Sequence, residues 1–150
     1  RRQVPLVLMH IKGTPQDMQE APVYANLLDE IYQQLEKQIQ VATQAGIPRQ
    51  HLIVDPGLGF CKRLHDNYII MRRLSELRGL GCPILVGPSR KAFVGKLQNL
   101  TPEERLEGTA AAVACAAMNG AHIVRVHDVA EMRRVAQIAD LIAGRAELTS

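Results

Sequence analysis

The stretch His51-Leu52-Ile53-Val54-Asp55-Pro56-Gly57-Leu58-Gly59-Phe60-Cys61-Lys62 opens as a short run of branched apolar residues and breaks at Asp55 into a turn rich in proline and glycine. This is the pattern of a buried strand running into a loop, and it leaves an acid at the strand's carboxyl end. Gly57 and Gly59 let the backbone adopt positive φ and approach a ligand closely, Phe60 offers a flat apolar face, and Lys62 adds a cation. Such an order suits a small polar ligand. A plainer reading stands beside it, in which Asp55 caps the next helix and the glycines only turn the chain.

Outward from this stretch, apolar runs and amphipathic segments alternate. Val4 to His10 is a nearly continuous apolar run that gives way to the loop Ile11-Lys12-Gly13-Thr14-Pro15, which predicts a buried strand ending at His10. Between Tyr24 and Ala45 the residues Leu27, Leu28, Ile31, Leu35, Ile39 and Ala42 recur at helical spacing, and Gly46 with Pro48 stops the helix. After the central loop, Tyr68, Ile69, Met71, Arg72, Leu74 and Leu77 mark a second helix ending at Gly79 or Gly81. Pro83 to Gly87 predicts a third strand, followed by a polar turn over Pro88 to Gly95 that opens a short helix with Ser89 as its N-cap. Thr101 caps a further helix, with Pro102 at its first position and acids in its first turn, running to Met118. Ala121 to Val126 is the fourth strand, and Val129 to Ile142 the last helix.

Strands that alternate with helices, without a hairpin between them, imply parallel pairing through right-handed crossovers. A doubly wound sheet and a (β/α)₈ barrel both meet that condition. Polar chemistry stands at every strand end: His10, Asp55, Ser89 to Lys91, and Arg125 to His127. A site gathered from several strand ends favours an α/β TIM barrel, of which residues 1–150 would supply the C-terminal four βα units, a half barrel within one domain. A half barrel leaves open strand edges and an uncovered apolar face, so the isolated chain is expected not to be a well-behaved monomer.

The chain is 47% hydrophobic and 22% charged, a globular composition that excludes disorder. A net charge of +3 without like-charge blocks, and five aromatic residues in all, argue against a nucleic-acid partner. Cys61, Cys82 and Cys115 are odd in number and form no CxxC pair, which points to a reducing, cytoplasmic setting and away from a cysteine zinc site. No apolar run has the length of a membrane span. Cys82, Cys115, Met71 and Met118 read as core, and His51, His65 and His122 as surface or internally satisfied histidines.

Four motifs carry a family resemblance. Leu8-Met9-His10 with Lys12-Gly13-Thr14-Pro15 and Met18-Gln19, then Asp55-Pro56-Gly57-Leu58-Gly59-Phe60 with Lys62, then Gly87-Pro88-Ser89-Arg90-Lys91, then Arg125-Val126-His127-Asp128-Val129, resemble the carboxyl-terminal half of dihydropteroate synthase in order and spacing. The resemblance implies a folate-biosynthesis transferase that condenses 6-hydroxymethyl-7,8-dihydropterin pyrophosphate with para-aminobenzoate, releasing pyrophosphate. It also implies Mg²⁺, with a ligand in the amino-terminal half and none in this chain, and a homodimer.

The resemblance marks Asp55, Lys91 and Arg125 as catalytic. Asp55 would accept two hydrogen bonds from the pterin's amidine-like edge, Lys91 would reach the pterin carbonyl, and Arg125 would stack on the ring and face phosphate oxygens. His127 would sit at the pyrophosphate subsite and Ser89, at a helix start, beneath the aminobenzoate carboxylate. Phe60 would pack on the aminobenzoate ring, Lys62 would hold the loop or the substrate, and Gly57, Gly59 and Arg90 complete the substrate-binding set. The role of His10 is left open.

No nucleophile-and-base pair is expected in such a site. Cys61 departs from the family, which has glycine there, so the backbone at that point must accept a side chain. Two other functions stay open at this point: a non-catalytic half barrel that binds pterin or a partner chain, and a barrel that transfers a methyl group from a reduced folate to a corrinoid. The start at Arg1-Arg2-Gln3, directly before a strand, reads as that of an excised piece.

Overall fold

The computed structural model describes residues 4–13 and 23–147. Thr14-Pro15 and Met18-Gln19 of the first motif, and Arg1-Arg2-Gln3, lie outside the described residues. Strands and α-helices alternate: β1 (Leu6–Met9), α1 (Leu27–Gln44), β2 (Leu52–Asp55), α2 (Leu64–Arg72), β3 (Leu85–Val86), α3 (Leu106–Met118), β4 (Ile123–Val124) and α4 (Val129–Ile142).

All pairing among the described strands is parallel. Leu6 to Met9 register against Leu52 to Asp55, a bridge joins Val54 to Ile84, and Leu85 and Val86 register against Ile123 and Val124. The strands therefore follow one another in space in chain order, β1-β2-β3-β4. A doubly wound sheet reverses its order at a switch point, and no reversal occurs among the described strands. Because the strands run the same way, all four carboxyl ends gather at one end of the α/β assembly.

α1 forms where the sequence places Leu28, Ile31, Leu35, Ile39 and Ala42 at spacings of three and four, and all five are buried. Its start is fixed by Asn26, whose side chain accepts from the Asp29 amide, with Asp29 and Glu30 complementing the helix dipole in the first turn. These residues meet Leu52, Val54, Ile70, Leu74, Leu77, Ile84 and Val86 in one core, where each fully buried Leu or Ile contributes about 2 kcal/mol.

Five expectations need correction. The second helix does not continue to Gly79: α2 ends at Arg72 and a 3₁₀ segment, Leu74–Leu80, follows. Met71, Leu74, Leu77 and Leu80 are spaced by three, and i, i+3 residues share a face in a 3₁₀ helix, so this winding buries Leu74, Leu77 and Leu80 together. Gly81, with φ of 64°, closes the segment. Ser89 caps no helix: the chain after it forms two three-residue 3₁₀ turns, Ala92–Val94 and Lys96–Gln98, the first opened by Lys91.

Thr101 caps only the turn Pro102–Glu104, its amide and hydroxyl both donating to Glu104 Oε2, and α3 begins at Leu106. β1 is not buried: Val7 is 44% exposed, because β1 has a strand partner on one side only among the described residues. Cys115 and Met118 are exposed as well, since α3 turns Thr109, Val113, Ala116 and Ala117 inward instead. His122 is satisfied internally, its Nδ1 accepting from the Ile84 amide. No helix of the described residues is long and apolar enough to cross a membrane.

Candidate active site at the strand ends

Asp55 ends β2 with its side chain 5% exposed. Its Oδ1 accepts from the Gly57 amide at 2.7 Å, which folds the Asp-Pro-Gly turn back on itself; among the described residues nothing bonds Oδ2. Burial pushes the carboxyl above its ordinary value, against the pull of the Gly57 bond and of the charges on Lys91, Arg125 and Lys62. Half of the carboxylate is thus committed to the loop, and the other half stands beside three cations.

The loop after Asp55 is pinned from several sides. Gly57 (φ 71°) passes so close to β1 that a Cβ would stand 2.1 Å from the His10 carbonyl oxygen. Leu58 plugs the core, and the Gly59 amide donates at 2.7 Å to Asn67 Oδ1, itself fixed by an Nδ2 bond to the Arg63 carbonyl. Cys61 does adopt a left-handed conformation, φ 47°, with its side chain buried and its carbonyl accepting from the Tyr24 hydroxyl at 2.8 Å. The side chain is therefore accommodated where the resemblance has glycine.

Lys62 spends its three N–H donors inside the protein, on His10 Nδ1 (3.0 Å), Phe60 O (3.0 Å) and Gly57 O (3.2 Å). Of the two roles open to it, the geometry supports holding the loop. Burial lowers it to about 8, and lowers His10, 1% exposed, to about 4 with help from the Lys62 charge. His10 is accordingly neutral at pH 7 with its proton on Nε2, because Lys62 occupies Nδ1.

Lys91 comes from the turn after β3. Its Nζ donates to the Leu58 carbonyl and lies 4.3 Å from the centroid of the Phe60 ring, and burial lowers it to about 8. A cleft of 510 Å³ opens between this turn and the β2 loop, lined by Phe60, Lys62, Asn67, Lys91 and Phe93 among others. Arg125 follows β4 with its guanidinium against Gly87: a Cβ there would be 3.4 Å from Arg125 Nε.

Ser89 and His127 are brought together. Ser89 Oγ is 2.9 Å from His127 Nδ1 and accepts from the His127 amide at 3.2 Å. A hydroxyl and an imidazole in contact do occur here, contrary to expectation, but Ser89 is buried and, among the described residues, no side chain bonds His127 Nε2. The pair lacks the third group that orients a base, and it works as a tie between two loops. Arg90 likewise faces protein, its Nε and Nη2 reaching Asp128 Oδ2 (3.2 Å) and Oδ1 (2.6 Å). With no α-helix starting at Ser89, the helix-start argument for an anion there falls away.

Sequence reasoning gave no role to Tyr24, Asn67, Thr109 or Asp128, which anchor the loops at Cys61 O, the Gly59 amide, the Arg90 amide and the Arg90 guanidinium. Asp128 stood inside the fourth motif, and Asn67 left a local signal as a polar residue on an apolar helix face. Among the described residues no three His, Cys, Asp or Glu side chains cluster closely enough to hold a metal ion.

Three comparisons bear on this constellation. The dihydropteroate synthase of Escherichia coli strain K12 is 48% identical over 128 residues, covering 85% of this chain and 45% of that protein. The crystal structure of the Yersinia pestis dihydropteroate synthase with a sulfonamide drug complex superposes with a TM-score of 0.92 at 40% identity, over 96% of this chain and 53% of that one. That of the Xanthomonas albilineans synthase in complex with 7,8-dihydropteroate gives 0.85 at 38% identity, over 93% and 51%. The chain spans about half the length of each of these relatives. Residues 1–127 match the family model described as pterin binding enzyme, and the chain belongs to that family.

Proposed function

We propose that this chain is the C-terminal half of the (β/α)₈ barrel of a dihydropteroate synthase. The protein that carries it would condense 6-hydroxymethyl-7,8-dihydropterin pyrophosphate with para-aminobenzoate. The observation that carries the reading is the Asp55 carboxylate, with one oxygen tied to Gly57 and the other free of protein partners among the described residues, beside Lys91 and Arg125. A buried carboxylate so placed accepts adjacent N–H groups of a pterin edge. The Xanthomonas albilineans relative, solved with 7,8-dihydropteroate, supports the same ligand class.

In this reading the C–O bond to pyrophosphate breaks with both electrons leaving on the anion. The methylene cation left on the pterin is trapped by the aryl amine, which forms the C–N bond and then loses a proton. Asp55 orients the ring, Lys91 and Arg125 offset charge on the pterin oxygen and the departing anion, and the 510 Å³ cleft beside Phe60 receives the aminobenzoate ring. His127 and Ser89 hold the β3 and β4 loops at the anion's edge. Mg²⁺ would draw its ligands from outside this chain. The open edges of β1 and β4 are where the remaining strands of the barrel would pair, and we place the protein in the cytoplasm as a homodimer.

Calorimetric titration with the dihydropterin pyrophosphate, followed by an assay for dihydropteroate, tests the reading, with Asp55→Asn as the control. Saturable binding that Asp55→Asn abolishes, together with product, supports it. Binding without product would make the protein a non-catalytic pterin-binding module, and no binding would overturn both.

A further inference from the structure

We propose that Arg90 and Asp128 are a positioning pair that carries the β3–β4 register past the ends of the strands, setting Lys91 against Arg125 and His127. The proposal assigns Arg90 to the scaffold in place of the substrate, and its kinetic arm rests on the synthase reading.

The register itself is the first observation. Leu85 pairs with Ile123 and Val86 with Val124, and the contacts beyond and before them keep the same separation of 38 residues: the Ile84 amide on His122 Nδ1, Ser89 Oγ on His127, and Arg90 on Asp128. Gly87 against the Arg125 guanidinium falls in the same series. Backbone pairing ends where Arg125 N donates to Val86 O at 2.9 Å, and side-chain bonds take up the same register at Ser89–His127 and Arg90–Asp128. A side-chain ladder is what two irregular loops need when no strand pairing holds them level.

Arg90 is locked more fully than a surface ion pair requires. Its guanidinium meets both oxygens of Asp128, its amide donates to Thr109 Oγ1 at 3.1 Å, and its carbonyl accepts from Arg105 Nη1 at 2.8 Å. The backbone at Arg90 is left-handed, φ 56°, a conformation that costs a side-chain-bearing residue about 1 kcal/mol and persists where surroundings impose it. The two side chains are 34% and 19% exposed, so the bidentate geometry is partly shielded from water. Asp128 is held well below the usual carboxylate range by the Arg90 bonds, and stays ionised. Lys91 is the next residue, its amide closing the turn onto the Pro88 carbonyl at 3.2 Å, so the direction of its side chain is set by where Arg90 is held.

The test compares Arg90→Ala, Asp128→Ala, the double alanine and the exchanged pair Arg90→Asp with Asp128→Arg in the protein that carries this chain. Aspartate tolerates the left-handed region, so the exchange keeps the backbone feasible. Condensation kinetics and hydrogen exchange over residues 87–94 and 125–129 are the readouts. Each single alanine should lower kcat/KM by about tenfold or more and speed exchange in both segments, the double should be no worse than the poorer single, and the exchanged pair should recover both. Loss with Arg90→Ala while Asp128→Ala behaves as the unaltered protein would overturn the proposal and make Arg90 a substrate ligand. Unchanged exchange in both segments would overturn it too. Should the unaltered protein make no dihydropteroate, the functional reading fails and the exchange arm decides alone. Should the alanine variants not fold, Arg90→Lys and Asp128→Asn replace them, with faster exchange supporting the lock and unaltered exchange overturning it.

Discussion

The ammonium of Lys62 donates to Nδ1 of His10 across 3.0 Å, and each group thereby fixes the protonation of the other. Burial first, and the Lys62 charge second, lower His10 from 6.5 to about 4. Between those values the unfolded chain binds a proton that the folded chain refuses. The stability tied to neutral His10 is therefore complete above pH 6.5 and is lost as pH falls through about 4. Allowing for solvent screening, the loss should be about 2 kcal/mol. Thermal melts from pH 7 to 4 check this against His10→Gln, which keeps an acceptor and does not titrate; the variant should show the shallower acid slope, and equal slopes would refute the account.

Lys91 yields a prediction of the opposite hand. Burial lowers it to about 8, so a ligand that needs its ammonium must bring a proton with it above that pH. Calorimetry at pH 8.5 in two buffers of different ionisation enthalpy should count proton uptake as a pterin binds, and Lys91→Arg should take up less, since a guanidinium stays charged. Lys62, also at about 8, is unaltered in that variant and accounts for the uptake that remains. Stability moves the other way: the unfolded chain keeps the Lys91 proton between about 8 and 10.5, so the fold gains stability over the range where affinity falls. Equal proton uptake in both proteins would remove Lys91 from the ligand's reach.

Asp55→Asn should separate function from stability. The amide oxygen can still accept the Gly57 N–H, while the buried charge, which burial disfavours, is gone. A melting temperature at or above that of the unaltered protein is expected at pH 7, together with a loss of pterin affinity of about a hundredfold, because the second position would now present N–H to N–H. A destabilised variant would show that the carboxylate serves the fold first.

The strands, their parallel sense, and the acid and cations at their ends were legible because each is written locally. Asp55 follows an unbroken apolar run, and α4 occupies the predicted span of Val129 to Ile142. Ser89 was misread because a serine before a polar stretch looks the same whether its hydroxyl caps a helix or, as here, meets a histidine 38 residues away. The break after α2 was written in the sequence as a change of spacing from helical to threefold at Met71, Leu74, Leu77 and Leu80, and reading the period more finely would have found it. Lys62 and Arg90 entered the substrate-binding set through the family resemblance, with holding the loop as the other role open to Lys62, and the partners they meet here, His10 and Asp128, lie 52 and 38 residues away in the chain. Pairings of that range have no local signature.

The two loop glycines should fail in different ways when replaced by alanine. At Gly57 a Cβ would lie 2.1 Å from the His10 carbonyl oxygen, backbone held by the His10 amide's 2.9 Å bond to the Asp55 carbonyl, so nothing nearby can give way. With a left-handed φ added, Gly57→Ala should cost about 3 kcal/mol and show as a large fall in melting temperature. At Gly59 the nearest atom to a Cβ is Lys91 Cδ at 3.0 Å, the middle of a flexible side chain that can swing aside. Gly59→Ala should lose only about 1 kcal/mol, the cost of its backbone conformation, yet displace Lys91 from the Phe60 ring and weaken ligand binding severalfold. Melts and pterin titrations on the pair check this. Equal stability losses with equal affinities would mean that the loop relaxes as a unit and that Gly59 is not spaced for Lys91.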